Sequence, residues 1–111
     1  MRLYVIDQMT EDNVRRVESY LRDKKMGSAI EGLFWRQVPD ALLTQAQSEH
    51  MESCGPYAFG IELHSDALKM ELLARAQNRL HCDCIAYADA AQRSYALDWL
   101  DSLLRELDIP V

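Results

Sequence analysis

The period of the apolar positions changes along this chain, and the changes mark its elements. Residues 2–8 are rich in β-branched and aromatic side chains and read as a first strand. From Thr10 the period becomes helical, with Val14, Val17 and Leu21 on one face and Tyr20 beside them. Thr10 suits an N-cap, Glu11 and Asp12 fall where the helix dipole favours negative charge, and Gly27 offers a stop after Lys24 and Lys25. The expected helix is 10–26. Residues 28–38 read as a second strand, which Pro39 ends. Thr44 and Gln47 have the spacing of a capping box, which predicts a short helix to about Cys54, before Gly55-Pro56.

The next thirty residues read as a meander. Tyr57, Phe59, Ile61 and Leu63 alternate with Ala58, Gly60, Glu62 and His64. After Ser65-Asp66, Leu68, Met70 and Leu72 alternate with Lys69, Glu71 and Leu73. A two-residue loop sets Leu63 opposite Leu68, Ile61 opposite Met70 and Phe59 opposite Leu72, and it sets Glu62 opposite Lys69 on the other face. Like meets like and opposite charges pair, so this register is self-consistent. A turn near Gln77-Asn78 leads to a last strand, Leu80–Tyr87. Asp89 and Gln92 then have the spacing of a second capping box, and Ala96, Trp99, Leu100, Leu103, Leu104 and Leu107 form the stripe of a final helix. The order β-α-β-(α)-β-β-β-α predicts one α+β domain over residues 1–111. Its expected form is a single, mainly antiparallel sheet of about five strands with two long helices packed on one face.

Such a sheet should show water its second face, but that face is mixed here. Glu62, His64, Lys69, Glu71 and Arg75 suit water, whereas Leu33, Trp35, Leu73, Ile85 and Tyr87 do not. Either segment 39–54 folds across this face, or a second copy of the chain does. The second reading predicts a homodimer, with those five apolar residues as its interface. Self-association without catalysis is the leading functional expectation.

Charge and composition narrow the classes. The fractions of hydrophobic and charged residues, 49% and 27%, are those of an ordinary globular domain. The net charge is −6, and the acid excess is spread over both halves. An acidic surface disfavours nucleic acid and anionic membranes as partners. Arg15, Arg16, Arg22, Lys24 and Lys25 do cluster, but Glu18 and Asp23 interleave them as on a solvated helix face. The chain enters its first strand without a signal-peptide pattern. Three cysteines, two of them separated by one residue, do not make a disulfide framework and suit a reducing cytoplasm.

Candidate chemistry gathers on those thiols. His50 and Cys54 lie one helical turn apart, and Cys82 and Cys84 share one face of the expected last strand. Imidazole and thiolate are the ligands zinc favours, so His50, Cys54, Cys82 and Cys84 make a soft-metal site or a redox thiol centre the alternative function. Three points count against it. An extended Cys-x-Cys lacks the tight turn of a zinc knuckle, and buried free cysteine often serves only as a small apolar side chain. A helix C-terminus is also the wrong end for a thiolate nucleophile. A third class, acid–base chemistry, would draw on Glu62, Glu71, Arg75, His81 and Asp83 across the polar sheet face. No phosphate loop, nucleophile elbow, zincin or dinucleotide motif occurs.

Overall fold

A computed structural model describes residues 2–110. The elements are β1 (Leu3–Ile6), α1 (Glu11–Asp23), β2 (Leu33–Gln37), α2 (Gln45–Glu49), α3 (Met51–Cys54), β3 (Tyr57–Leu63), β4 (Leu68–Glu71), β5 (Leu73–Ala76), β6 (Ala86–Tyr87) and α4 (Ala90–Glu106), with a 3₁₀ turn at Asp40–Leu42. The protein is α+β, with one antiparallel sheet and the two long helices α1 and α4. Among the described residues no helix is long and apolar enough to cross a membrane.

β3 is the axis of the sheet. β2 lies along one side of it, and β4 and β5 follow one another along the other side. β1 pairs with β4, and β6 with β5. The hairpin register is the expected one at its tip: Leu63 faces Leu68, Ile61 faces Met70, and Glu62 faces Lys69. Further along it slips. Ala58 faces Arg75, so three steps on β3 match five on the other strand. The expected Phe59–Leu72 pair is therefore lost, and Leu72 sits in the break between β4 and β5. There it donates to the Arg2 carbonyl and accepts from the Ala88 N–H.

The helices cover the face that carries Tyr57, Phe59, Ile61, Leu68 and Met70. Val14, Val17 and Leu21 from α1 and Leu100, Leu103 and Leu104 from α4 complete that core. Each such side chain contributes about 1.5–3 kcal/mol of burial. Tyr4 Oη donates to Asp101 Oδ1 at 3.2 Å and ties β1 to α4, while Tyr20 Oη donates to Glu106 Oε2 at 3.0 Å and ties α1 to α4.

Both long helices end in the same way. In α1, Lys25 takes a φ of 60°, its N–H bonds the Arg22 carbonyl, and the Met26 N–H bonds Leu21. In α4, Asp108 takes a φ of 56°, with the matching bonds to Arg105 and from Ile109 to Leu104. These are Schellman closures with non-glycine residues in the left-handed position. The first helix thus stops at Asp23, before the expected Gly27. β2 is shorter than residues 28–38, because Ser28 Oγ bonds the carbonyls of Ile30 and Leu33 and holds a turn there.

Two further expectations are corrected. Segment 39–54 does not cover the second face of the sheet. It packs beside α4, where the Leu42 carbonyl accepts from Gln92 Nε2 at 2.9 Å. The expected strand Leu80–Tyr87 shrinks to Ala86–Tyr87, and residues 77–85 form an irregular loop. The physical reason is that Cys82–Ile85 closes a tight turn, with the Ile85 N–H on the Cys82 carbonyl at 3.0 Å. That turn takes the backbone groups that a ladder would need.

A candidate metal centre at the cysteine loop

The four residues come from two segments, the α3 turn and the loop 77–85, and each is placed by identifiable bonds. Thr44 and Gln47 form the expected capping box at the start of α2. His50 is the joint between α2 and α3, and the Cys54 N–H bonds the His50 carbonyl at 2.8 Å. His50 and Cys54 therefore sit one turn apart on one side of α3. Gly55 must follow without a side chain, because a Cβ there would lie 2.0 Å from Met51 Sδ and 2.9 Å from the Met51 carbonyl. The incoming loop is pinned to this corner. The Gln77 N–H bonds the Pro56 carbonyl at 2.9 Å, the Asn78 N–H bonds Cys54 at 3.1 Å, and Asn78 Nδ2 donates to the Gly55 carbonyl.

The far end of the loop is held by two buried glutamines. Gln47 and Gln92 are the third residues of the two capping boxes, and both are fully buried. Gln92 Nε2 donates to Gln47 Oε1 at 2.9 Å, so the boxes are joined through their side chains. Gln47 Nε2 in turn reaches the Cys84 carbonyl at 3.4 Å, and Tyr57 Oη donates to the Gln47 carbonyl at 3.0 Å. Two buried amide side chains and one buried phenol are thus all hydrogen-bonded while fixing where Cys84 turns.

His50 Nδ1 and the sulfurs of Cys54, Cys82 and Cys84 all lie within 4.8 Å of one another. All three thiols are free. Cys54 and Cys84 are buried, while His50 and Cys82 form the side nearer solvent. Cys82 Sγ lies 3.2 Å from His50 Nδ1, and the Cys84 N–H points to Cys82 Sγ at 3.5 Å. The N–H to sulfur contact inside a tight turn is the knuckle that an extended strand would not supply. Cys-x-Cys here is a turn, and the objection drawn from an extended strand falls with the strand.

Electrostatics separates the two cysteines of the turn. Hydrogen bonds from the Cys84 thiol and then the Cys84 backbone N–H lower Cys82 to about 7, with Cys54 and His50 adding to the effect. Burial, and then the bond to Cys82, push Cys84 up to about 11. A thiolate accessible near neutrality at Cys82 thus lies beside a thiol, Cys84, that burial holds protonated. Burial beside Cys84 also raises Tyr57 above the ordinary phenol range.

The other candidate groups are only partly assembled. Leu33, Trp35 and Ile85 line one groove on the second face of the sheet. Leu73 and Tyr87 do not join them; they face each other across β5 and β6, and the Arg2 guanidinium stacks 4.8 Å from the Tyr87 ring centre. Of the acid–base set, Glu71 binds Arg75 through both carboxylate oxygens at 2.6 and 3.1 Å. Glu62 Oε1 lies 3.0 Å from His64 Nε2. His81 and Asp83 are exposed on the loop and do not line that groove. Glu71 is occupied by pairing, and these groups do not converge on a reacting centre.

Comparison with family models, with curated proteins and with solved structures finds no match to this chain. The functional reading therefore rests on the geometry.

Proposed function

We propose that this protein binds one soft metal ion, zinc first among them, through His50 Nδ1 and the thiolates of Cys54, Cys82 and Cys84. The observation that supports it is the mutual closeness of four ligand atoms drawn from two segments, all within 4.8 Å. A tetrahedral zinc with bonds of about 2.3 Å to sulfur and 2.0–2.1 Å to nitrogen spaces its ligands roughly 3.5–3.8 Å apart. The cluster needs to close by about an ångström at its widest to meet that spacing. Four protein ligands leave no open coordination position, so the role is structural and non-catalytic: the ion clamps the loop 77–85 to the corner of α3 and β3. Reduced thiolates of this kind suit the cytoplasm.

Native mass spectrometry of the reduced protein, with zinc, copper and iron assayed in parallel, tests this. One zinc per chain is expected, lost in Cys84→Ser. A protein that stays metal-free after incubation with zinc contradicts it. Self-association through Leu33, Trp35 and Ile85 is supported by one observation, the open groove they line, and by no partner surface shaped to fill it. It ranks second for that reason.

A further inference from the structure

The second face of the sheet carries a groove of about 600 Å³. Its floor is Trp35, laid along the bare backbone of Gly60. A Cβ at Gly60 would touch the indole at 3.5 Å and Leu33 at 3.7 Å, so the absence of a side chain keeps the floor low. Ile85 and Leu80 rise from the cysteine loop as one wall, and Leu80 is 88% exposed. The volume falls in the range of small-molecule sites, which combine an apolar body with a few placed polar groups.

The charges of the groove are asymmetric. Its lining holds three cations, Lys69, Arg75 and Arg79, against two carboxylates, Glu62 and Glu71. Glu71 is bound by Arg75, while Glu62 lies 3.0 Å from His64 Nε2 without a hydrogen bond between them. Among the described residues Lys69 and Arg79 make no ion pair, although Lys69 stands across the ladder from Glu62. A groove with a net positive lining on a protein of charge −6 marks that face out for an anion.

We infer that this groove binds an amphipathic organic monoanion. An aliphatic or aryl body lies over Trp35 between Leu33 and Ile85, and a carboxylate head reaches one of the two cations at the ends of the groove, Lys69 or Arg79. The charge pattern favours this occupant over a second copy of the chain, whose acid-rich surface is broad and carries no single anchored head. The inference is independent of the metal, since none of the four ligands lines the groove.

Decanoate and its uncharged counterpart decanol are the probes, each titrated calorimetrically into the full chain with and without added zinc. Decanoate should bind one to one and more tightly than decanol. The double variant Lys69→Gln/Arg79→Gln should weaken decanoate about tenfold and leave decanol unchanged, the size of a lost charge-assisted contact. Gly60→Leu should abolish both by filling the floor. Equal binding of the two probes, or decanoate binding indifferent to the double variant, overturns the anion assignment. No binding of either probe, with light scattering showing a dimer that Trp35→Glu dissolves, overturns the groove as a small-molecule site.

Discussion

The hairpin β3–β4 and the loop 77–85 lie a few residues apart in sequence and are held by different physics. In the hairpin, apolar side chains alternate with polar ones, one face is buried under α1 and α4, and a shift of one residue would turn every side chain the wrong way. Its order is intrinsic to the pattern. The loop has no ladder from Asn78 to Ile85. It is held by backbone bonds at its start, by Gln47 at Cys84, and by whatever joins the thiols to His50. The difference teaches that order in the loop is conditional: under the proposed metal role a bound cation sets it, whereas the hairpin needs none.

Four measurements break or sharpen this contrast. The largest effect is in thiol reactivity. In metal-free protein, alkylation of Cys82 should rise with pH, pass its midpoint near 7 and level off, because the thiolate is the nucleophile. Cys84, pushed up to about 11, is ionised at pH 8 in only on the order of one chain in a thousand and should react last. Zinc should protect both. Equal rates for the two at pH 8, read by peptide mass spectrometry, would break the account of the turn.

Core truncation comes next. Phe59 is fully buried between the sheet and the helices, so Phe59→Ala should cost about 3–5 kcal/mol in a urea melt. The loss should be the same with and without zinc. A smaller effect belongs to the glutamine link. Gln92→Ala strips Gln47 and the Leu42 carbonyl of their donor and should cost about 1–3 kcal/mol. Unlike the core variant, it should also weaken zinc binding, because Gln47 positions the Cys84 carbonyl. Zinc affinity equal to that of the unaltered protein would show that the link is packing alone. The smallest change is Thr10→Ala, which removes the α1 cap bond at 3.1 Å and should cost about 1 kcal/mol with zinc affinity untouched.

The same contrast decides what the sequence made legible. The hairpin tip, both capping boxes and the apolar stripes of α1 and α4 follow from local periods and cap chemistry, and they appear where those rules place them. Residues 80–85 did not follow. Leu80, Cys82, Cys84 and Ala86 alternate like a strand, but the Cys82–Ile85 turn and the link between Gln47 and Gln92 are long-range facts that no local period encodes. The four candidate residues and their grouping into one site were legible by chemistry and spacing; the turn that presents Cys82 and Cys84 was not. Lys25 and Asp108 were missed as helix stops because glycine is the usual signal for the left-handed position. One cue for the glutamine pair was present: both boxes carry Gln where Glu is as common, and only an amide can donate as well as accept.

Cobalt titration of the reduced, metal-free protein probes the clamp most directly, since Co²⁺ takes zinc's place and reports its ligands by colour. Saturation at one equivalent is expected, with the intense visible bands of a tetrahedral ion and near-ultraviolet thiolate charge transfer that Cys82→Ser and Cys84→Ser each diminish. A pale octahedral spectrum without thiolate bands would contradict the reading that these three thiols and one imidazole grip a single ion.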